Sequence, residues 1–85
     1  MKEKWEAARK IFDLVERVEV TFTKKNGEER KMLCTRSMYL IPDEHKPKGN
    51  LQREPNYEAL PVYDLEKLAW RSFRIDSIIN IKPLL

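Results

Sequence analysis

The sequence predicts a mainly β fold with one N-terminal α-helix, in which four to five short antiparallel strands close a small barrel. Three observations support this fold class: an apolar stripe at helical spacing near the start, apolar alternation after it, and an Asn-Gly turn between two alternating runs. Because 85 residues are too few for two independent cores, a single domain over residues 1–85 is expected.

The first element is a helix predicted over residues 2–17. This segment lacks glycine and proline, and its apolar side chains recur at intervals of three and four residues: Trp5, Ala8, Phe12 and Val15. Such spacing places them on one helical face, so we expect that face to pack on a sheet.

A first hairpin is predicted over residues 18–41. Val18, Val20 and Phe22 alternate with polar residues, as in a strand with one buried face. Lys25-Asn26-Gly27 is the expected turn, because glycine adopts positive φ without steric cost.

The register of this hairpin depends on the loop length. A three-residue loop places Val20 opposite Met32 and brings Met32 and Cys34 into the core, whereas a two-residue loop places Phe22 opposite Lys31. A one-residue slip exchanges the two faces of a strand, so we favour the three-residue loop, which pairs apolar with apolar.

Residues 42–61 are predicted to form a long proline-rich loop. They hold four of the five prolines and one of the two glycines, and they show no clear period. Loops of this length usually have a function or pack on the domain, and both interpretations remain open. The residues expected to pack on the barrel are Leu51, Tyr57 and Leu60, and those expected to reach a ligand are Lys46, Lys48 and Arg53.

Residues 62–82 are predicted to contain a second hairpin and a last short strand. The expected order is an outgoing strand from Val62 to Leu65, a turn over 66–69, a return strand from Trp70 to Ile75, a break at Asp76-Ser77, and a strand around Asn80 that Pro83 ends.

Two stretches carry a resemblance to known proteins. Thr21 to Gly27 (TFTKKNG) and Trp70 to Ile78 (WRSFRIDSI) resemble a group of short tailed-phage proteins related to WYL domains. The resemblance implies an Sm-like or SH3-like β-barrel. By analogy with WYL domains, it also implies a groove that binds nucleic acid or a nucleotide-type effector through Arg71 and Arg74. Ala59-Leu60-Pro61 stands where the Trp-Tyr-Leu signature strand of WYL domains would be.

The residue inventory argues against an enzyme and against a metal or other cofactor. There is one histidine, His45, and one cysteine, Cys34, and two glycines are too few for a phosphate-binding glycine loop. A lone cysteine and the absence of a long apolar run favour the cytoplasm, that of the host cell for a phage protein, with no membrane contact. The net charge of +3 favours anionic partners.

The second hairpin provides the candidate binding residues. Arginine pairs with phosphate through two parallel hydrogen bonds, and exposed aromatic rings stack on bases, so Arg71, Arg74 and Trp70 together suit nucleic acid or a nucleotide. Lys46 and Lys48 of the loop are expected to assist.

A structural role for the same arginines is the main alternative. In that interpretation Arg71 or Arg74 bonds to Asp64 or Asp76 and holds a corner of the barrel.

Two further functions are open. A protein that takes part in host takeover or anti-defence would bind and block a host enzyme or defence protein, with Leu51, Arg53 and Tyr57 as the partner-binding loop. Contiguous exposed apolar surface at Leu51, Tyr57 and Leu60 would indicate this function. A homo-oligomer would form through unpaired strand edges.

Overall fold

The computed structural model describes residues 2–46 and 56–84. In chain order its elements are α1 (Lys2–Leu14), β1 (Arg17–Thr23), β2 (Glu29–Thr35), a 3₁₀ helix (Asp43–His45), β3 (Ala59–Asp64), β4 (Ala69–Arg74), a second 3₁₀ helix (Ile75–Ser77) and β5 (Ile78–Leu84). The strands form one antiparallel sheet in the order β4-β3-β2-β1-β5. Within the described ranges, no helix is long and apolar enough to cross a bilayer.

The core lies between α1 and the inner face of the sheet. The apolar stripe of the helix is buried as predicted, and it packs on alternate residues of the strands. The buried core residues are Trp5, Ala8, Phe12, Val18, Val20, Met32, Cys34, Leu60, Val62, Phe73 and Ile75.

The helix is shorter than the predicted range 2–17. Its final turn closes where the backbone N–H of Val15 donates to the carbonyl of Ile11 at 3.2 Å. Arg17 already belongs to β1, where it pairs with Leu84 of β5. The helix ends early because Arg17 obtains its backbone hydrogen-bond partners by pairing with the last strand.

The first hairpin has the predicted three-residue loop. Val20 faces Met32 and Val18 faces Cys34, and Gly27 has φ of 89°. This register buries Met32 and Cys34, as expected.

The strands of this hairpin occupy less than the predicted range 18–41, because β2 ends at Thr35. The hydroxyl of Thr35 accepts the backbone N–H of Ser37 at 2.9 Å, which turns the chain away from the sheet. Ile41 is then buried outside the main core cluster.

Strand β3 begins inside the predicted loop 42–61. Leu60, one of the residues expected to pack the loop on the barrel, is fully buried in the core, so it does not provide the exposed apolar surface of the host-inhibitor alternative. The carbonyl of Pro61 accepts a bond from Arg36, so the backbone of Pro61 faces away from β4. On that side β2 pairs with Tyr63 and Asp64 of β3, and Pro61 lies beyond this ladder. The missing N–H of the proline therefore removes no bond from the β3–β4 ladder.

The second hairpin and last strand exceed the predicted range 62–82 at both ends. The turn spans residues 65–68, so that Asp64 faces Ala69. Pro83 does not end β5 but lies opposite Val18 within it. Strand β5 is at the end of the sheet order, and an edge strand accommodates proline on its unpaired side.

Candidate functional site

Asp64 is a buried carboxylate that closes the turn between β3 and β4. Its Oδ1 accepts backbone N–H bonds from Glu66 and Lys67, both at 2.9 Å. A short acidic side chain at the start of a turn reaches the backbone two and three residues on, which is why aspartate favours this place. The turn ends at Leu68 with φ of 56°, a value uncommon for a residue other than glycine.

Two arginines approach the other oxygen of this carboxylate. Nη2 of Arg30 is 3.6 Å and Nε of Arg71 is 3.5 Å from Oδ2 of Asp64. Among the described residues Oδ2 accepts no hydrogen bond that meets normal geometry, so both contacts are long ion pairs. We call Asp64, Arg30 and Arg71 the Asp64 cluster.

The Asp64 cluster keeps one positive charge in excess, because two guanidinium groups share one carboxylate. The Arg30 side chain is 29% exposed and the Arg71 side chain is 46% exposed, whereas Asp64 is inaccessible. The excess charge therefore faces solvent, and the cluster can attract an anion.

Arg74, the second predicted arginine, is neutralised by a neighbour. Its Nε and Nη2 donate to the two carboxylate oxygens of Asp76, both at 3.1 Å. This hydrogen bond raises the pKa of Arg74 and lowers the pKa of Asp76. The pair carries no net charge, and it corresponds to the structural alternative that the sequence left open.

Trp70 is half-buried, and its indole is held by neighbours. Its ring packs edge-on against Tyr63 with centroids 5.8 Å apart, and its N–H donates to the carbonyl of His45. The Nδ1 of His45 lies 2.8 Å from the hydroxyl of Tyr63. These contacts attach the first 3₁₀ helix to the hairpin, and they assign Trp70 a packing role.

The predicted loop residues separate into described and undescribed ones. The ammonium of Lys46 pairs with Asp43 at 2.6 Å. Tyr57 packs edge-on against Trp5 with centroids 5.0 Å apart, so it attaches the end of the loop to α1. The candidates Lys48, Leu51 and Arg53 lie outside the described residues.

Arg30 is a site residue that the sequence reasoning missed. It lies on β2 two residues before Met32, so alternation places it on the inward face with Met32 and Cys34. A charged residue at an inward position requires a buried partner, and this requirement could have identified Arg30 from the sequence.

Cys34 is not available for chemistry in the folded protein. Its thiol lies 3.5 Å from the carbonyl of Val18, and the residue is fully buried. Burial, with a smaller effect of the Asp64 charge, raises the pKa of the Cys34 thiol to about 12. The reactive thiolate is therefore scarce near neutral pH.

The turn after β2 exposes two large apolar side chains. Tyr39 is 94% exposed and Met38 is 45% exposed. The backbone N–H of Tyr39 is 3.3 Å from the hydroxyl of Ser37, which helps to shape the turn. This Met38–Tyr39 tip is a surface that a protein partner can cover.

A leading helix followed by one five-stranded antiparallel sheet is the architecture of a small Sm-like or SH3-like barrel. The chain belongs to the WYL_2 family, described as an Sm-like SH3 beta-barrel fold, which matches residues 14–79. The resemblance and the fold class predicted from the sequence are thus confirmed.

A phage protein is among the relatives of this chain. An uncharacterized 11.5 kDa protein of the Gp31-cd intergenic region of Enterobacteria phage T4 is 35% identical over 66 residues. The match covers 76% of this chain and 65% of the T4 protein. No solved structure matches the chain.

Proposed function

We propose that this chain is a non-catalytic phage protein that binds nucleic acid or a nucleotide signal at the Asp64 cluster. The observation that carries the proposal is the excess positive charge of the cluster, where Arg30 and Arg71 share a single carboxylate. A phosphate group that approaches from solvent meets two guanidinium groups whose positions the buried Asp64 already restricts.

The contact distances leave the arginines available to a ligand. At 3.5 and 3.6 Å the contacts with Asp64 are longer than charge-assisted hydrogen bonds, which measure about 2.7–2.9 Å. Each guanidinium group has five N–H donors, so its contact with one carboxylate oxygen leaves donors that can bind phosphate.

The other predicted binding residues receive lesser roles in this proposal. Arg74 is neutralised by Asp76 and so attracts phosphate less than Arg71 does. Trp70 supports the hairpin by packing edge-on against Tyr63 and by donating its indole N–H to the carbonyl of His45, so packing is its main role in this proposal.

The test compares Arg71→Gln with Arg74→Gln, since both residues lie on β4 and both substitutions remove one positive charge. Fluorescence anisotropy with a labelled single-stranded oligonucleotide is measured over a series of salt concentrations. We expect Arg71→Gln to weaken binding about tenfold, and Arg74→Gln no more than about threefold. Equal losses, or no salt-dependent binding by the unmodified chain, would contradict the proposal. Circular dichroism checks that both variants fold.

A second candidate function is inhibition of a host enzyme or defence protein. The observation in its favour is the Met38–Tyr39 tip, an exposed aromatic and thioether pair on a turn. Tyrosine and methionine are enriched at protein interfaces. Nuclease-treated host lysate is passed over the chain and over a Tyr39→Ser variant. One stoichiometric protein retained by the first and lost from the second would favour this function over the first.

A further inference from the structure

A groove lies between α1 and the open end of the β3–β4 hairpin, away from the turn that Asp64 closes. Its volume is about 460 Å³. Two arginines, two uncharged polar residues and three apolar residues line it: Arg9, Arg36, Asn56, Ser72, Trp5, Ala59 and Pro61. We call it the helix groove.

The alternation of side chains along β4 separates the helix groove from the Asp64 cluster. Pro61 pairs with Ser72, whereas the next pair along the hairpin is Val62 with Arg71. Because successive residues of a strand point to opposite faces, Ser72 and Arg71 project to opposite sides of the hairpin. Arg71 accordingly is not among the residues that line the helix groove.

Within the described residues, neither arginine of the helix groove is held in a salt bridge. Cζ of Arg9 lies 5.7 Å from the centre of the Trp5 ring, and Arg36 donates to the carbonyl of Pro61. Two like charges beside one concave surface are a favourable place for an anion.

The charge of Arg9 also affects the pKa of Arg36. Burial lowers the pKa of Arg36, the charge of Arg9 lowers it further, and Asp13 opposes these effects more weakly. An anionic group between Arg9 and Arg36 would relieve this repulsion.

We propose that the helix groove binds a phosphomonoester of nucleotide size, a site distinct from the one in the proposed function. The two guanidinium groups suit a doubly charged terminal phosphate. The Trp5 edge, Ala59 and Pro61 provide an apolar floor for a flat ring, and the hydroxyl of Ser72 provides a polar contact. Trp5 and Arg9 precede residue 14, so this half of the groove lies outside the residues that the family match covers.

The test is isothermal titration calorimetry of the full chain with adenosine 5′-monophosphate, inorganic phosphate and adenosine. We expect saturable binding of the nucleotide at the helix groove, with an affinity about tenfold above that of inorganic phosphate, and no saturable binding of adenosine. Equal affinity for nucleotide and inorganic phosphate would overturn the proposal, as would the absence of saturable nucleotide binding.

Substitutions locate the site. Arg9 is exposed, so Arg9→Gln is expected to fold and to weaken nucleotide binding about tenfold. Lys82→Gln on β5 removes the same charge from an exposed position and is expected to change the affinity less than about twofold. A loss with Lys82→Gln as large as with Arg9→Gln would overturn the proposal. A loss with Arg71→Gln instead of Arg9→Gln would also overturn it, because the nucleotide would then occupy the Asp64 cluster.

Discussion

Nε of Arg71 on β4 lies 3.5 Å from Oδ2 of Asp64, the last residue of β3, and that carboxylate is inaccessible to solvent. The same carboxylate binds two backbone N–H groups of the turn through its other oxygen. One side chain therefore closes the hairpin and restrains the arginine on the returning strand. Structure and proposed binding are thus connected through Asp64.

The first prediction concerns the stability that Asp64 provides. Asp64→Asn keeps the oxygen that accepts the turn bonds but removes the charge beside two arginines, so we expect the free energy of unfolding to fall by about 2 kcal/mol. Asp64→Ala also loses the turn bonds, and we expect a further loss of about 1–2 kcal/mol. Urea denaturation followed by circular dichroism measures both changes. Variants as stable as the unmodified chain would contradict the assigned role.

The second prediction is that Asp64→Asn affects binding in the opposite direction from stability. Removing the carboxylate raises the excess charge of the cluster from one to two, so we expect oligonucleotide binding about threefold to tenfold tighter at low salt. The difference should shrink as salt is added, because screening weakens the added attraction. Anisotropy titrations at two salt concentrations measure the effect. Weaker binding by a folded Asp64→Asn protein would contradict the ligand role of Arg30 and Arg71.

The third prediction concerns the reactivity of Cys34. Burial and the Asp64 charge raise the pKa of this thiol to about 12, so the folded protein should react with a thiol reagent near pH 8 at least about a hundredfold more slowly than the urea-unfolded chain. Absorbance of the released chromophore follows the reaction. Similar rates for the folded and unfolded chain would mean that Cys34 is accessible, contrary to the structure.

The fourth prediction concerns Trp5, which joins α1 to β3. Its indole N–H donates to the carbonyl of Ala59 at 2.9 Å, across 54 positions of the chain. Trp5→Phe removes this bond but keeps an aromatic ring, and we expect a loss of about 1–2 kcal/mol. Trp5→Ala also creates a cavity and should cost about 3–5 kcal/mol. Thermal unfolding ranks the variants, and an equal midpoint for both would contradict a separate contribution from the hydrogen bond.

The sequence predicted those features of the fold for which residue spacing allows only one arrangement. The alternation around Val20 and the positive φ needed at Gly27 together determine the register of the first hairpin, because any slip would bury polar residues. The apolar stripe around Trp5 and Phe12 likewise determines which side of the helix faces the sheet.

The element ends could not be predicted because they depend on distant partners. Arg17 leaves the helix to pair with Leu84, which no local pattern near Arg17 encodes. Pro61 and Pro83 lie within strands, since the nitrogen of Pro61 faces away from the β4 ladder and Pro83 belongs to an edge strand.

Only part of the candidate site could be predicted, because some of its contacts also depend on distant partners. Both acids proposed as structural partners, Asp64 and Asp76, do pair with the hairpin arginines. Arg30 joins the cluster only because the chain folds β2 beside β3, and its inward position was the one local indication. The packing of Trp70 under His45 depends on a tertiary contact across the loop.

Nuclear magnetic resonance of the arginine side chains most directly tests the claim that the Asp64 cluster is the binding site. A short single-stranded oligonucleotide is added to the isotope-labelled chain, and the Nε–H signals are assigned with single Arg→Lys variants. We expect the signals of Arg30 and Arg71 to shift in a saturable, salt-sensitive manner, and that of Arg74 to move little. Binding that shifts other signals but leaves Arg30 and Arg71 unchanged would contradict the account.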